Sequence, residues 1–188
     1  VTLGIFDGVH KGHRTLLDRL VFRAKEVNGE SVVITFFPHP RLVLDKNKTD
    51  LSFLTTMEEK ILLIENANID HLIIIEFNEE FSRIPACTFV NEVLIEKIGT
   101  KHLLVGYDHH FGRNGEGDFN TIKQCTNLLD FHVERLHGFR SEKGNISSSS
   151  IRQALLTGNL DAANNWLGYY YSLSGTIIKG RQIGRSIG

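Results

Sequence analysis

The sequence predicts an α/β fold: a mostly parallel sheet with helices on both faces. Three observations carry this. Short apolar segments alternate with segments of helical spacing along the whole chain. The apolar segments are continuous runs, as in strands buried on both faces, not the in–out alternation of a half-exposed sheet. And each unusual loop, after Phe6, after Phe37 and after Tyr107, follows a strand, so all three open on one sheet edge.

The elements follow in order. Val1 to Phe6 is an apolar run ending at Asp7-Gly8, and reads as a buried strand. His13 to Val27 carries Leu16, Leu17, Leu20 and Ala24 at helical spacing, closed by Asn28-Gly29. Ser31 to Phe37 is β-branched and continuous, a second strand that leaves regular structure at Pro38-His39-Pro40. Arg41 to Ser52 is polar and reads as a loop. Thr56 to Ala67 reads as a helix, with Thr56 and Glu59 in capping-box positions. Strands are expected at Asp70 to Phe77, Lys101 to Tyr107 and Phe131 to Leu136, and helices at Phe89 to Ile98 and Thr121 to Leu129. Ile146 to Leu156 and Leu160 to Leu167 read as two closing helices.

A chain of 188 residues is enough for one ordinary domain with a small appendage. Its net charge of −1 argues against bulk binding of nucleic acid or an anionic membrane, though local cations can still serve a small anion. No apolar run is long enough to span a bilayer. Cys87 and Cys125 form no C-x-x-C pattern, so the expectation is unpaired thiols and a cytoplasmic location. The chain opens at Val1 inside an expected strand and without Met, which reads as a piece of a longer protein.

Four segments could carry chemistry. GIFDGVHKGH places a glycine turn and two histidines, His10 and His13, where a helix begins. Helix N-termini favour anions, Gly8 and Gly12 admit close approach, and the imidazoles add donors. Without a nearby nucleophile, donors to a phosphoryl group fit better than a proton shuttle; a surface helix that merely starts with His is the plain alternative. ISSSSIR puts Ser148 and Arg152 four residues apart on a second helix start, a second phosphate grip or simply a capped helix. In GYDHHFGRNGEGD, Asp108 could bind ribose or Mg²⁺; adjacent His109 and His110 lack zinc spacing. FFPHP could line an aromatic pocket or be a strand end with its turn.

Together these segments resemble the bacterial bifunctional riboflavin kinase/FAD synthetases. GIFDGVHKGH is similar to their G-x-F-D-G-x-H-x-G-H motif, whose paired histidines are the HxGH signature of a wider nucleotidyltransferase superfamily. ISSSSIR resembles ISSTxIR, with Ser149 in the place of Thr. FFPHP and GYDHHFGRNGEGD match in order, except that His109 and His110 stand where many members carry an aromatic and a polar residue. SGTIIKGRQIGRSIG, Ser174 to Gly188, is similar to the opening of a riboflavin kinase module.

The resemblance implies a Rossmann-like nucleotidyltransferase fold over residues 1–168 and the truncated start of a β-barrel kinase over 169–188. It implies transfer of AMP from ATP to FMN, giving FAD and pyrophosphate, with Mg²⁺. His10, His13, Ser148 and Arg152 are the implied catalytic groups. Gly4, Phe6, Asp7, Gly8, Gly106, Asp108 and Ser147 join them at ATP, and Phe37, Pro38, His39 and Phe111 face the flavin. The metal is held by Asp108 or by the phosphates. Riboflavin kinase activity is expected only of a longer chain. Small-molecule substrates are the expected partners, with neither nucleic acid nor membrane. The rivals are another HxGH nucleotidyltransferase, acting on a pantetheine or polyol phosphate, and a nucleotide-binding domain without catalysis.

Overall fold

A computed structural model describes residues 1–45, 52–107, 110–125, 130–136, 140–141 and 144–179. Five parallel strands form the sheet: β1 (Thr2–Leu3), β2 (Val32–Phe37), β3 (His71–Glu76), β4 (His102–Val105) and β5 (His132–Arg135), in the order β3-β2-β1-β4-β5. A short hairpin, β6 (Arg140–Ser141) and β7 (Gly144–Asn145), stands apart. The helices are α1 (Lys11–Glu26), α2 (Pro40–Leu44), α3 (Met57–Glu65), α4 (Ala86–Thr88), α5 (Phe119–Cys125), α6 (Ser148–Leu156) and α7 (Leu160–Leu167). The chain leaves α4 directly into a wider π-type helix, Phe89–Lys97. The expected α/β architecture is therefore present.

Side chains alternate across the pleat, and here both faces are apolar. Ile34, Leu103 and Val105 face one core with Phe89, Val90, Leu94 and Ile122. Their neighbours Val33 and Leu104 face the other, with Leu17, Leu20 and Ile64 from α1 and α3. A third cluster joins Leu54 to Ile151, Ala163 and Leu167, seating α6 and α7 beside the sheet edge.

Three expectations need correction. The first strand ends at Leu3, not Phe6, because Phe6 has a positive φ of 52° that no strand accommodates. Arg41 to Ser52 is not all loop: Pro40–Leu44 winds into α2, with Pro40 in its first turn and His39 as cap, while residues 46–51 lie outside the described residues. Cys87 and Cys125 are bonded to each other, not free. They lie 38 residues apart, but α4 and α5 pack on the same sheet face and bring their Cα atoms to 4.9 Å. The expected helix end at 126–129 and the kinase-like residues 180–188 also fall outside the described residues.

Leu103 is fully buried at the centre of the larger core. Leu103→Ala is expected to cost about 2–5 kcal/mol in urea unfolding; a cost under about 1 kcal/mol contradicts this packing.

Candidate active site

The strand order reverses between β1 and β4, whose carboxyl ends part to leave a crevice. A cavity of about 660 Å³ opens there. The turn after β1, the start of α2, the loop after β4 and the start of α6 all contribute to its wall.

The turn from Gly4 to His10 is shaped by its backbone. Gly8 has φ +78°, and a Cβ there would stand 2.7 Å from Leu54 Cδ1, so both conformation and space require glycine. His10 caps α1: its Nδ1 accepts from the backbone N–H of His13 at 3.3 Å, which leaves the proton of the neutral ring on Nε2. The His10 and His13 rings stack with centroids 3.7 Å apart, and the edge of His13 meets Phe6 at 5.2 Å. Two stacked imidazoles cannot both charge cheaply. Burial holds the pKa of His13 well below the ordinary value, and His10 and Lys60 push it the same way. Burial likewise lowers that of His39, against the pull of Asp7.

Asp7 is buried beneath this turn. Its Oδ1 accepts from the N–H groups of Leu54 at 2.9 Å and Thr55 at 3.3 Å, and its Oδ2 from Arg152 Nη2 at 3.0 Å. Its backbone carbonyl accepts from Ser148 Oγ at 2.9 Å. Tyr169 donates to the Gly8 carbonyl at 2.7 Å, and the Gly8 N–H donates to Thr55 Oγ1 at 3.2 Å. On α6, Ser147 is the cap and accepts from the Ser150 N–H. Both α1 and α6 thus direct N-terminal ends at the cavity. Among the described residues, two buried side-chain atoms here lack a hydrogen-bond partner, His13 Nδ1 and Arg152 Nε.

The other end of the cavity is aromatic. Phe36, Phe77, Phe81, Phe89 and Phe111 line it in a chain of ring contacts between 5.6 and 5.9 Å. Gly112 lets the loop carrying Phe111 lie against α4: its φ is +74°, and a Cβ would come within 2.8 Å of Ala86 Cα.

Of the residues expected from sequence, Gly4, Phe6, Asp7, His10, His13, His39, Gly106, Phe111, Ser147, Ser148 and Arg152 all line this one cavity. Gly8 lies behind it against Leu54 and Leu167. Ser148 commits its proton to the Asp7 carbonyl, so its work in this geometry is to hold the turn. Phe37 points away from the cavity and is 56 % exposed, and Pro38 is not in the wall. Phe36 belongs to the FFPHP segment expected to line an aromatic pocket; sequence reasoning missed Phe77, Phe81 and Phe89, whose only signal is their aromatic character. Asp108 and His109 lie outside the described residues. Asp7, the carboxylate in the described wall, has both oxygens occupied, and no described cluster of His, Cys, Asp or Glu could hold a metal. The described residues therefore do not fit Mg²⁺ directly.

The family model for FAD synthetase matches residues 1–150. The chain belongs to the FAD synthetase family. It is 37% identical over its full length to a bifunctional riboflavin kinase/FMN adenylyltransferase of Buchnera aphidicola, and 32% identical to that of Escherichia coli. It spans about 60% of the length of these curated relatives. A solved structure from Streptococcus pneumoniae, described as a macrolide-efflux protein, superposes with a TM-score of 0.88 at 29% identity. That match covers 99% of this chain and 60% of the other. No described helix of this FAD synthetase family member is long and apolar enough to cross a membrane.

The neutral His13 has a consequence for stability. The folded chain resists protonating it, whereas the unfolded chain protonates it near pH 6.5, so stability falls as pH drops below about 6.5. Urea unfolding at pH 7.5 and 5.5 checks this. His13→Gln is expected to lose less stability on acidification, by up to about 1.4 kcal/mol per pH unit; equal loss in both proteins contradicts it.

Proposed function

We propose that this cavity transfers AMP from ATP to the phosphate of FMN, releasing pyrophosphate and forming FAD. The observation that carries this is the polarity of one continuous cavity. One end has two helix N-termini, stacked imidazoles and two buried polar atoms without partners; the other is a wall of phenylalanines. The first end suits a polyphosphate, the second a fused aromatic ring. Family membership and the names of the curated relatives support the same reading. A pantetheine or polyol phosphate offers nothing for the aromatic wall to grip.

The chemistry asks little covalent help of the protein. An FMN phosphate oxygen attacks the α-phosphorus in line, the bond to the bridging oxygen breaks, and pyrophosphate leaves with the electron pair. The protein must align the two phosphates and stabilise charge that develops on the transferred group. The N–H groups opening α1 and the His10 Nε2 proton serve the phosphates from one side. Arg152, braced by Asp7, serves from the other, with its unpartnered Nε available to an oxygen. His39 and the aromatic rings hold the flavin. Mg²⁺ comes with the triphosphate, and no step is routed through a protein-bound metal. As in the relatives named above, riboflavin kinase belongs to a longer protein, with residues 1–168 as its adenylyltransferase part and 169–188 opening the kinase. The cytoplasm, where flavin nucleotides and ATP meet, is the proposed location.

Incubation with FMN, ATP and Mg²⁺ should yield FAD and pyrophosphate, resolved by chromatography. No FAD, with product from a different phosphorylated acceptor, overturns the assignment.

His13→Ala should cut turnover by about 10²–10³-fold with the circular dichroism spectrum unchanged. Arg152→Lys keeps the charge but loses the planar fork and should slow the reaction at least about tenfold; wild-type rates in either variant remove that residue from the phosphate site.

A further inference from the structure

Lys60 stands in the first turns of α3, the helix whose approach is clamped to the phosphate turn. Thr56 and Glu59 cap that helix reciprocally, at 3.2 and 2.9 Å. The residues just before it, Leu54 and Thr55, donate to Asp7, and Phe53 lies against His39 with ring centroids 5.2 Å apart. The α3 start is therefore packed directly behind the turn and the α2 cap. In that position Lys60 is only 7 % exposed.

A buried lysine is normally paired. This one has no ion pair and no side-chain hydrogen bond among the described residues. The nearest candidate, Asp7, is already taken up by Arg152 and two backbone N–H groups. Two cations thus share one carboxylate beneath the turn, and the helix ends of α1 and α6 add positive potential. The titratable groups that interact with Lys60 are Asp7 on the turn, His13 on α1 and His39 at the start of α2; of these only Asp7 is anionic. Consistent with this, burial lowers the pKa of Lys60 and Asp7 opposes that shift, while Lys60 disfavours protonation of His13 and His39. A buried cation without a partner weakens the empty protein. It repays that when a polyanion arrives, because its field acts through a low-dielectric wall.

We propose that Lys60 is a positioning residue for the nucleotide: a largely buried lysine behind the phosphate turn, without an ion-pair partner among the described residues, whose counter-charge is the polyphosphate of bound ATP. It does not line the cavity, so it acts through the turn rather than by touching substrate. The inference rests on reading the cavity as a nucleoside-triphosphate site, and its test is chosen to be independent of FAD formation. A lysine that merely held the turn would be needed equally with or without phosphate in the site.

The experiment compares the wild-type chain, Lys60→Met, Lys60→Arg and the exposed-charge control Lys25→Met. Calorimetry measures affinity for ATP and for adenosine, which lacks phosphates, and a thermal melt is recorded without nucleotide. Lys60→Met is expected to weaken ATP about ten- to a hundredfold while leaving adenosine unchanged. Its melting temperature without nucleotide should equal or exceed that of wild type. Lys60→Arg should recover most of the ATP affinity, and Lys25→Met should bind as wild type does. In turnover, the KM for ATP should rise while that for FMN holds. Should Lys60→Met fail to fold, Lys60→Gln is read in the same way. Unchanged ATP affinity, or equal weakening of ATP and adenosine, overturns the proposal. A wild-type chain that binds no ATP sinks the nucleotide reading itself. One that binds ATP but makes no FAD sinks only the proposed acceptor.

Discussion

The Asp7 carboxylate ties together stretches of chain that lie 47 and 145 residues from it: the approach to α3 through Leu54, and α6 through Arg152. Its own backbone carbonyl takes Ser148, and the adjacent Gly8 carbonyl takes Tyr169. The turn after β1 is thereby held by hydrogen bonds from several directions. That over-determination is what lets Phe6, Gly8 and Val9 keep positive φ values within four residues, with one glycine among them. Without the carboxylate, the turn would lose its links to Leu54 and Arg152 and keep its backbone bonds to Ser148, Tyr169 and Thr55.

The sheet explains why this knot falls where it does. β1 is the central strand, and the chain fills the sheet first on one side, through β2 and β3, then on the other, through β4 and β5. Loops leaving β1 and β4 must diverge, and only there does a parallel sheet leave a cleft deep enough for a ligand. The shortness of β1 helps. By turning after Leu3 it draws the backbone back below the rim and leaves space above it for substrate.

Much of this was legible in the chain. The alternation of continuous apolar runs with helical spacing fixes the fold class, and the two helix starts with their histidines, serines and arginine mark the phosphate end. What was not legible shares one cause: it depends on which way a residue faces. In SVVITFF both faces of the strand are apolar, so pattern cannot say that Phe36 turns inward and Phe37 outward. Ser148 was read as a phosphate donor because a serine at a helix start is one when unengaged; its bond to Asp7 is a tertiary fact. Cys87 and Cys125 looked unrelated because nothing local records that α4 and α5 meet. That α3 buries Lys60 is likewise a tertiary fact.

These features combine into an electrostatic design that differs from a permanent salt-bridge network. A site built for a polyanion could satisfy its cations internally, but every internal carboxylate would then compete with the ligand. Among the described wall residues the one carboxylate, Asp7, serves architecture. Its position below the turn braces Arg152 through Nη2 and leaves Nε without a partner among the described residues. Burial holds the pKa of His13 well below its ordinary value, and the His10 ring stacked on it acts in the same direction. On the proposed nucleotide reading, a bound polyphosphate relieves the electrostatic imbalance of the site. Substrate binding and local ordering of the turn are two expressions of the same charge balance.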